Sequence, residues 1–560
     1  MLWRLGSGDI GGKAMGLEFF NSRINFDEWN ARFAPHRLRV PDTAVLRTDL
    51  FAEFVEKRKL IDTFETEDDD SIRKRFLAEE ITPRLAAVLE SYLERKTFPL
   101  AVRSSARNED AQNHPFAGLY ITVLLPNSSP DRKTRLRQLE EAVKLVYASA
   151  FMKNPKHYMQ SHGLSIENEK MAVVLQELVG RRRGDLFYPH LAGVAQSLNF
   201  FPVSYLKPKD GIALLVMGLG KAAVDGRFGM RFCPAYPLVR PQMQQAADMM
   251  RLRQKDLYAL DMTRGEIGIK HESDTLAFIP VADVMDDEIL PYIASTYSPS
   301  EGVVYPGIRK GGTTVLTFDR LMQSELFPLP EALKWLLEKN EAWWKVPVDL
   351  EFAVDFDFGG SGAEACFCLL QARPLVVHSS TEEVGIPGGI DPSRVIVRAS
   401  QTMGNGVLDT LGHIIYVPLQ ALDPGRSRSL ADQVGALSSR LLERGKRYML
   451  VGPGRWGSTN LYLGIPAVYS HIEGAGAIVE VTWDELKVEP SQGTHFFSNI
   501  VSGRIMVLFV NLAGGEAVLN RAWLDAQPDA GGQKDVRLIE LSEPLHVVVD
   551  GRNMKGMVYQ

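Results

Sequence analysis

The chain has 560 residues, of which 63 are Lys or Arg and 69 are Asp or Glu, so its formal net charge is −6. Apolar residues make up 45% and charged residues 24%, ordinary globular usage that excludes disorder, collagen-like repeats and coiled coil as the main architecture. The near balance of charge leaves no overall basic field for nucleic acid or an anionic membrane, and no long apolar run occurs, so a cytoplasmic protein of roughly three or four structural units is expected.

In chain order, residues 1–20 read as a short strand, the glycine loop GSGDIGGK and a helix. Residues 71–96 carry a helix-period apolar face interrupted near Pro83, and 135–151 repeats that pattern. The β-branched run MAVVLQELV, the turn RRRGD and the extended stretch after it read as one hairpin, with Arg181, Arg182 and Arg183 at a solvated tip. A buried strand over 212–220 ends on glycines, and a helix over 329–345 leads into the strand VDLEFAVDF, a glycine turn and the strand ACFCLLQARP. Cys366 and Cys368 in that last strand are expected to point to opposite faces, and three cysteines in all are too few for a disulfide framework. Strands and helices alternate without a strict βαβ rhythm, so the expected fold class is α+β. A Ser, Gly and Pro-rich linker is expected at 378–393, followed by a smaller strand-rich α+β domain over 394–560. Its strands are placed at 394–398, 413–418, 447–451, 477–482 and 505–511, with one helix at 428–445.

Three constellations suit phosphate chemistry. In GSGDIGGKAMG, glycines let backbone N–H groups turn toward an anion, the following helix adds its positive end, and Lys13 can neutralise a phosphate oxygen. The loop is not a P-loop, because Ala14 stands where a Ser or Thr would hold magnesium, and a plain tight turn explains it equally well. In LAVRSSARNEDAQNHPFAGLY, a strand delivers Arg103, Ser104 and Ser105, and Phe116, Ala117 and Gly118 form an apolar lip. The structural alternative has Ser105 capping a helix and Arg103 paired with Glu109 or Asp110. In VDLEFAVDF, alternation puts Asp349, Glu351 and Asp355 on one strand face, and Gln371 and Arg373 share a face of the next strand. Paired carboxylates at that spacing suit a hard cation such as Mg²⁺ bound to nucleotide phosphates, although a solvated face with ion pairs explains Asp349 and Glu351 taken alone.

Six segments in this order, GGKAMGL, VRSSARNEDAQNHPFAGLY, VVLQELV, Ala192–Gly193–Val194, GLGKAAVDG and VDLEF with LLQARP, resemble the ATP-binding domain of the pyruvate, phosphate dikinase and phosphoenolpyruvate synthase family. The resemblance covers about residues 1–376 and implies an ATP-grasp-like fold, with an ATP-binding subdomain over 1–200 and a second subdomain carrying the metal and phosphate site over 201–377. It implies that Lys13 and Arg103 grip ATP phosphates and that Gln176, Glu177 and Val179 lie along the strand contacting adenine. It further implies that Glu351 and Gln371 hold Mg²⁺ with Asp349 nearby, and that Arg373 stabilises the transferring phosphoryl group. One departure concerns Lys221, which stands where the family usually has Glu in its Gly-Leu-Gly-Glu loop; there it can bind an anion directly.

The family's phosphohistidine segment and pyruvate-binding barrel are not visible, and the 184 residues after 376 are fewer than a barrel of roughly 250 requires. His495, after Gly493 and Thr494, is a candidate phosphoryl acceptor or general base, with a structural histidine the favoured alternative beside Phe496 and Phe497. His471 is read as structural, and GPGRWGSTN as a rigid turn that presents Arg455 and Ser458. The expected function is Mg-ATP-dependent phosphoryl transfer. The acceptor stays open among pyruvate, another small molecule and a histidine on a partner protein, and a homo-oligomer stays open too. Non-catalytic ATP sensing and an ATP-grasp ligase are the alternatives.

Overall fold

The computed structural model describes residues 2–57, 60, 68–107, 109, 118–161, 169–225, 229–239, 246–285, 287–359, 363–375, 384–399, 401–486, 488–490, 492 and 494–560. Two compact units are present: Met1–Leu198 with Lys209–Val224 and Phe228–Leu375, and Asn199–Pro208 with Asp225–Arg227 and Val376–Gln560. Both mix helices with several sheets, in agreement with the α+β class.

Two sheets organise the first unit. One has five strands in the spatial order Leu2–Leu5, Thr43–Leu46, Met171–Glu177, Leu100–Ala106 and Thr122–Leu125. The other has six, in the order Met230–Phe232, Ile212–Met217, Leu191–Gln196, Val348–Asp357, Glu364–Pro374 and Arg37–Arg39. Period-2 alternation divides the work of the Val348–Asp357 strand: Leu350, Phe352 and Val354 enter the main core with Leu333 and Leu336 of the helix Leu329–Trp344, leaving Asp349, Glu351 and Asp355 on the opposite face. Burying each such large apolar side chain contributes about 1.5–3 kcal/mol, which fixes the register that aims the carboxylates the other way.

The expected hairpin after 171 is replaced by a longer-range arrangement. Met171–Glu177 pairs with Thr43–Leu46 and Leu100–Ala106 in the first sheet, whereas Leu191–Gln196 joins the second. The real hairpin is Arg181–Arg183 with Leu186–Tyr188, turning at Gly184, whose φ is +59°. A strand that is apolar on both faces satisfies its hydrogen bonds with any neighbour, so its pattern does not name its partner. The interruption near Pro83 is a boundary between helices Asp69–Ala78 and Pro83–Leu93, where Pro83 opens the second helix and Thr82 Oγ1 accepts from Leu85 N.

The second unit is built on a nine-stranded mixed sheet. Its strands Met506–Asn511, Ala475–Thr482, Tyr448–Pro453 and Gly406–Tyr416 run parallel in that order. Helix Ser427–Leu442 provides the first crossover and helix His495–Ser502 the last. The long strand Arg537–Asp550 pairs antiparallel with Gly406–Tyr416 and was not expected from the sequence, because the polar stretch Glu540–Glu543 breaks its alternation. Among the described residues, no helix is long and apolar enough to cross a membrane.

Candidate functional site

The glycine loop is braced against neighbouring elements. At Gly11, φ is +74° and an added Cβ would fall 1.7 Å from Ser105 O, so only glycine fits there. Ser105 lies in the strand Leu100–Ala106 and caps no helix; its hydroxyl donates to Ile10 O at 2.9 Å and accepts from Ala14 N at 3.2 Å. Asp49 accepts from Ser7 N and Thr48 Oγ1 from Asp9 N, so these two loop amides, expected to face an anion, are already engaged. Lys13 leaves the first turn of helix Gly11–Arg23 and bonds the Glu109 carboxylate and Ser104 Oγ. Glu109 is only 1% exposed and also accepts from Ser104 Oγ and Ala106 N. The alternative pairing of Glu109 with Arg103 is therefore not what forms.

Arg103 reaches from the first sheet to the second. Its Nη2 donates at 2.8 Å to both Glu351 Oε2 and Gln371 Oε1, while Nη1 donates to Gln176 Oε1 at 3.2 Å and Leu370 O at 3.3 Å. A bulge makes that carbonyl available: Glu351 faces Gln371 but Phe352 faces Leu369, so Leu370 is left over and its oxygen also accepts from Gln176 Nε2. Two residues along the ladder, Asp349 faces Arg373 and accepts from its Nε at 3.2 Å and its Nη2 at 2.8 Å, both residues being buried. The structure thus brings Arg103, Gln176, Glu351 and Gln371 to one point, with Asp349 and Arg373 adjacent.

The neighbouring residues are engaged in different ways. Burial disfavours ionised Glu177, but a bidentate bond from Arg39 at 2.7 and 2.9 Å and the Asp42 N–H outweigh it and hold this carboxyl below its ordinary range. Val179 joins a small-residue apolar cluster with Ala192, Val194, Leu214, Ala222, Ala353 and Cys368. Lys221 opens the short helix Lys221–Val224, its ammonium 6.0 Å from the Tyr258 ring centroid. His495 belongs to the second unit, in the first turn of a helix capped by Thr494 Oγ1, which accepts from Phe497 N. Phe116 and Ala117 lie outside the described residues.

Sequence reasoning missed the ion network at the far end of the Glu351 strand. Asp355 bonds Arg181 Nε at 2.7 Å and lies 2.5 Å from His190 Nδ1, and Asp287 binds Arg183 Nε at 2.7 Å. Arg183 Nη2 also lies 4.0 Å from Asp355, so two of the three arginines expected in solvent pair with this strand. The Cys366 and Cys368 sulfurs are 3.8 Å apart, which corrects the expectation of opposite faces: residues two apart on a strand share a face.

Glu351 and Gln371 supply two oxygens that converge on a single point, now occupied by one guanidinium nitrogen, and this donor set fits a hard cation. Among the described residues no cluster of three His, Cys, Asp or Glu side chains forms.

Comparison with known families defines the class. Residues 7–391 match the family model described as "Pyruvate phosphate dikinase, AMP/ATP-binding domain", and the chain belongs to that family. Among individual relatives, the chain is 31% identical over 201 residues to "Uncharacterized phosphotransferase YvkC" of Bacillus subtilis, a match covering 35% of this chain and 21% of that protein. It is 25% identical over 322 residues to "Phosphoenolpyruvate synthase" of Aeropyrum pernix, covering 56% of this chain and 33% of the relative. These matches span a fifth to a third of the relatives' own lengths.

Proposed function

We propose that the chain is a Mg-ATP-dependent phosphotransferase with an ATP-grasp-like nucleotide site. The observation that carries this reading is the pair of hydrogen bonds that Arg103 Nη2 donates, each at 2.8 Å, to Glu351 and Gln371, which sets a cation and two metal-type oxygens at one point inside a family of ATP-binding domains. Phosphoryl transfer demands positioning and charge neutralisation more than covalent help, and such a constellation supplies both.

Lys13, Arg103 and Arg373 are each held by a carboxylate, so their charges are balanced before nucleotide arrives. Lys13 exchanges Glu109 for a phosphate oxygen, and Arg103 turns from Glu351 and Gln371 to the phosphate chain, freeing those oxygens for Mg²⁺. Bound magnesium supplies neutralisation of charge on the phosphate oxygens. Asp349 keeps the Arg373 guanidinium oriented toward the phosphoryl group in transfer. The base rests against the Val179 cluster beside the Gln176–Glu177 strand end, and Lys221 adds a cation at its rim. The acceptor is pyruvate, another small molecule or a histidine, with His495 the candidate within this chain and a partner protein's histidine the alternative.

A second reading, ATP binding without turnover, is favoured by Lys221, a cation where the family usually carries Glu. Calorimetric titration with Mg-ATP tests the site itself. Arg103→Met is expected to weaken binding about 10–100-fold, the worth of charged hydrogen bonds of about 1.5–3 kcal/mol, and Arg373→Met to retain binding while losing turnover. Wild-type affinity in Arg103→Met would refute the assignment.

A further inference from the structure

We propose that Cys366 is a modification site whose thiol, paired with Cys368, exchanges with small organic disulfides. The two sulfurs lie 3.8 Å apart on the sheet face that also carries Glu351 and Gln371. Their exposure differs. Cys366 is half-buried and lines a cavity of about 520 Å³ with Phe26, Asn30, Arg37, Leu38 and Arg39, whereas Cys368 is fully buried in the Val179 cluster. One sulfur is reachable from solvent and the other stands behind it as a hydrogen-bond partner.

Charged groups face the pair from every neighbouring strand. Arg37 and Arg39 stand beside Cys366 and Cys368 on the adjacent parallel strand, and Asp355 lies opposite Cys366 on the other side. Asp355 is engaged by Arg181 and His190, Glu364 pairs with Arg37, and Glu177 pairs with Arg39. The Cys368 thiol donating to Cys366 is the main stabiliser of a Cys366 thiolate; burial opposes it, and Arg39 and Arg37 add to it, so this thiol ionises well below its ordinary range. Burial pushes Cys233, which lies elsewhere in the same unit, the other way. Reactive cysteines occupy partly exposed sites near cations, and Cys366 meets that description where Cys233 does not.

In the exchange, the Cys366 thiolate attacks one sulfur of RS–SR. A Cys366–SR bond forms as the RS–SR bond breaks, and the electron pair leaves on RS⁻, which takes a proton from solvent. Closure to a Cys366–Cys368 disulfide is disfavoured. At about 3.3 Å rise per residue their Cα atoms stand about 6.6 Å apart, at the limit of about 6.8 Å for an unstrained bridge, with parallel Cβ vectors. The mixed disulfide therefore persists until an external thiol removes it.

The test uses the full chain with oxidised glutathione as probe, peptide mass spectrometry as readout, and an iodoacetamide rate profile against pH. The expected result is a single glutathione adduct on Cys366, absent in Cys366→Ser, with an alkylation midpoint about 1 unit or more below the ~8.5 of a free thiol. Cys368→Ala, which removes the donor, should raise that midpoint. Modification of Cys233 first, an unshifted midpoint at Cys366, or collapse to a Cys366–Cys368 disulfide without adduct would each overturn the proposal.

Discussion

At the scale of single residues, Lys13, Arg103 and Arg373 are each paired with a carboxylate, Glu109, Glu351 and Asp349 in turn. Glu351→Ala removes one of the two oxygens that accept from Arg103 Nη2 and is expected to lower Mg-dependent ATP turnover about 100-fold or more, the range for loss of one preorganised electrostatic group; steady-state kinetics at saturating Mg²⁺ checks this. A second residue-scale consequence concerns the other unit, where burial pushes the Glu473 carboxyl up to about 7 from its ordinary 4.5. Below pH 4.5 this acid is neutral in both states. Between that value and about 7 the unfolded chain releases a proton that the native state keeps, so stability falls as pH rises through the window, and the deficit persists above it. Glu473→Gln should therefore raise Tm at pH 8 by about 2–4 °C, corresponding to about 1 kcal/mol after allowance for partial exposure, and should flatten the dependence of Tm on pH. An unchanged profile would show that Glu473 ionises normally.

Element by element, the local patterns name the strands and helices well and their neighbours poorly. The apolar period of Leu329–Trp344 and the alternation of Val348–Asp357 were legible because each element has one buried face. The partners of Met171–Glu177 were not, since a strand buried on both faces carries no side preference. The bulge at Leu370 was equally invisible, although it presents the carbonyl that Arg103 uses. The close approach of helix Gly11–Arg23 to its neighbours is a requirement at the same scale. A Cβ at Gly16 would stand 2.1 Å from Ala372 O, so Gly16→Ala must push the helix off the strand Glu364–Pro374. We expect it to displace Lys13, to weaken ATP binding at least tenfold and to lower stability by about 1–3 kcal/mol, measurable by calorimetry and urea unfolding. Wild-type affinity in that variant would mean the helix can shift without cost to the site.

For the molecule as a whole, the order of motifs proved more informative than any one of them. Lys13, Arg103, Glu351, Gln371 and Arg373 come from four short segments, and the fold brings Arg103, Glu351 and Gln371 into contact across 268 residues of chain. What the sequence hid was the counter-charge: Glu109 on Lys13, and the Asp355, His190 and Arg181 network, arise from long-range pairing with no local signature. The family match ends at residue 391, and His495 lies beyond it in the second unit. The proposed activity is phosphoryl transfer from ATP at the Arg103–Glu351–Gln371 point. Phosphorus NMR of the nucleotide pool, with Mg²⁺ and pyruvate or water as acceptor, tests it most directly. Wild type is expected to consume ATP, with AMP and phosphate as products if the dikinase route operates, and Glu351→Ala and Arg373→Ala to leave ATP intact. ATP bound but never consumed by wild type, or consumed equally by both variants, would contradict it.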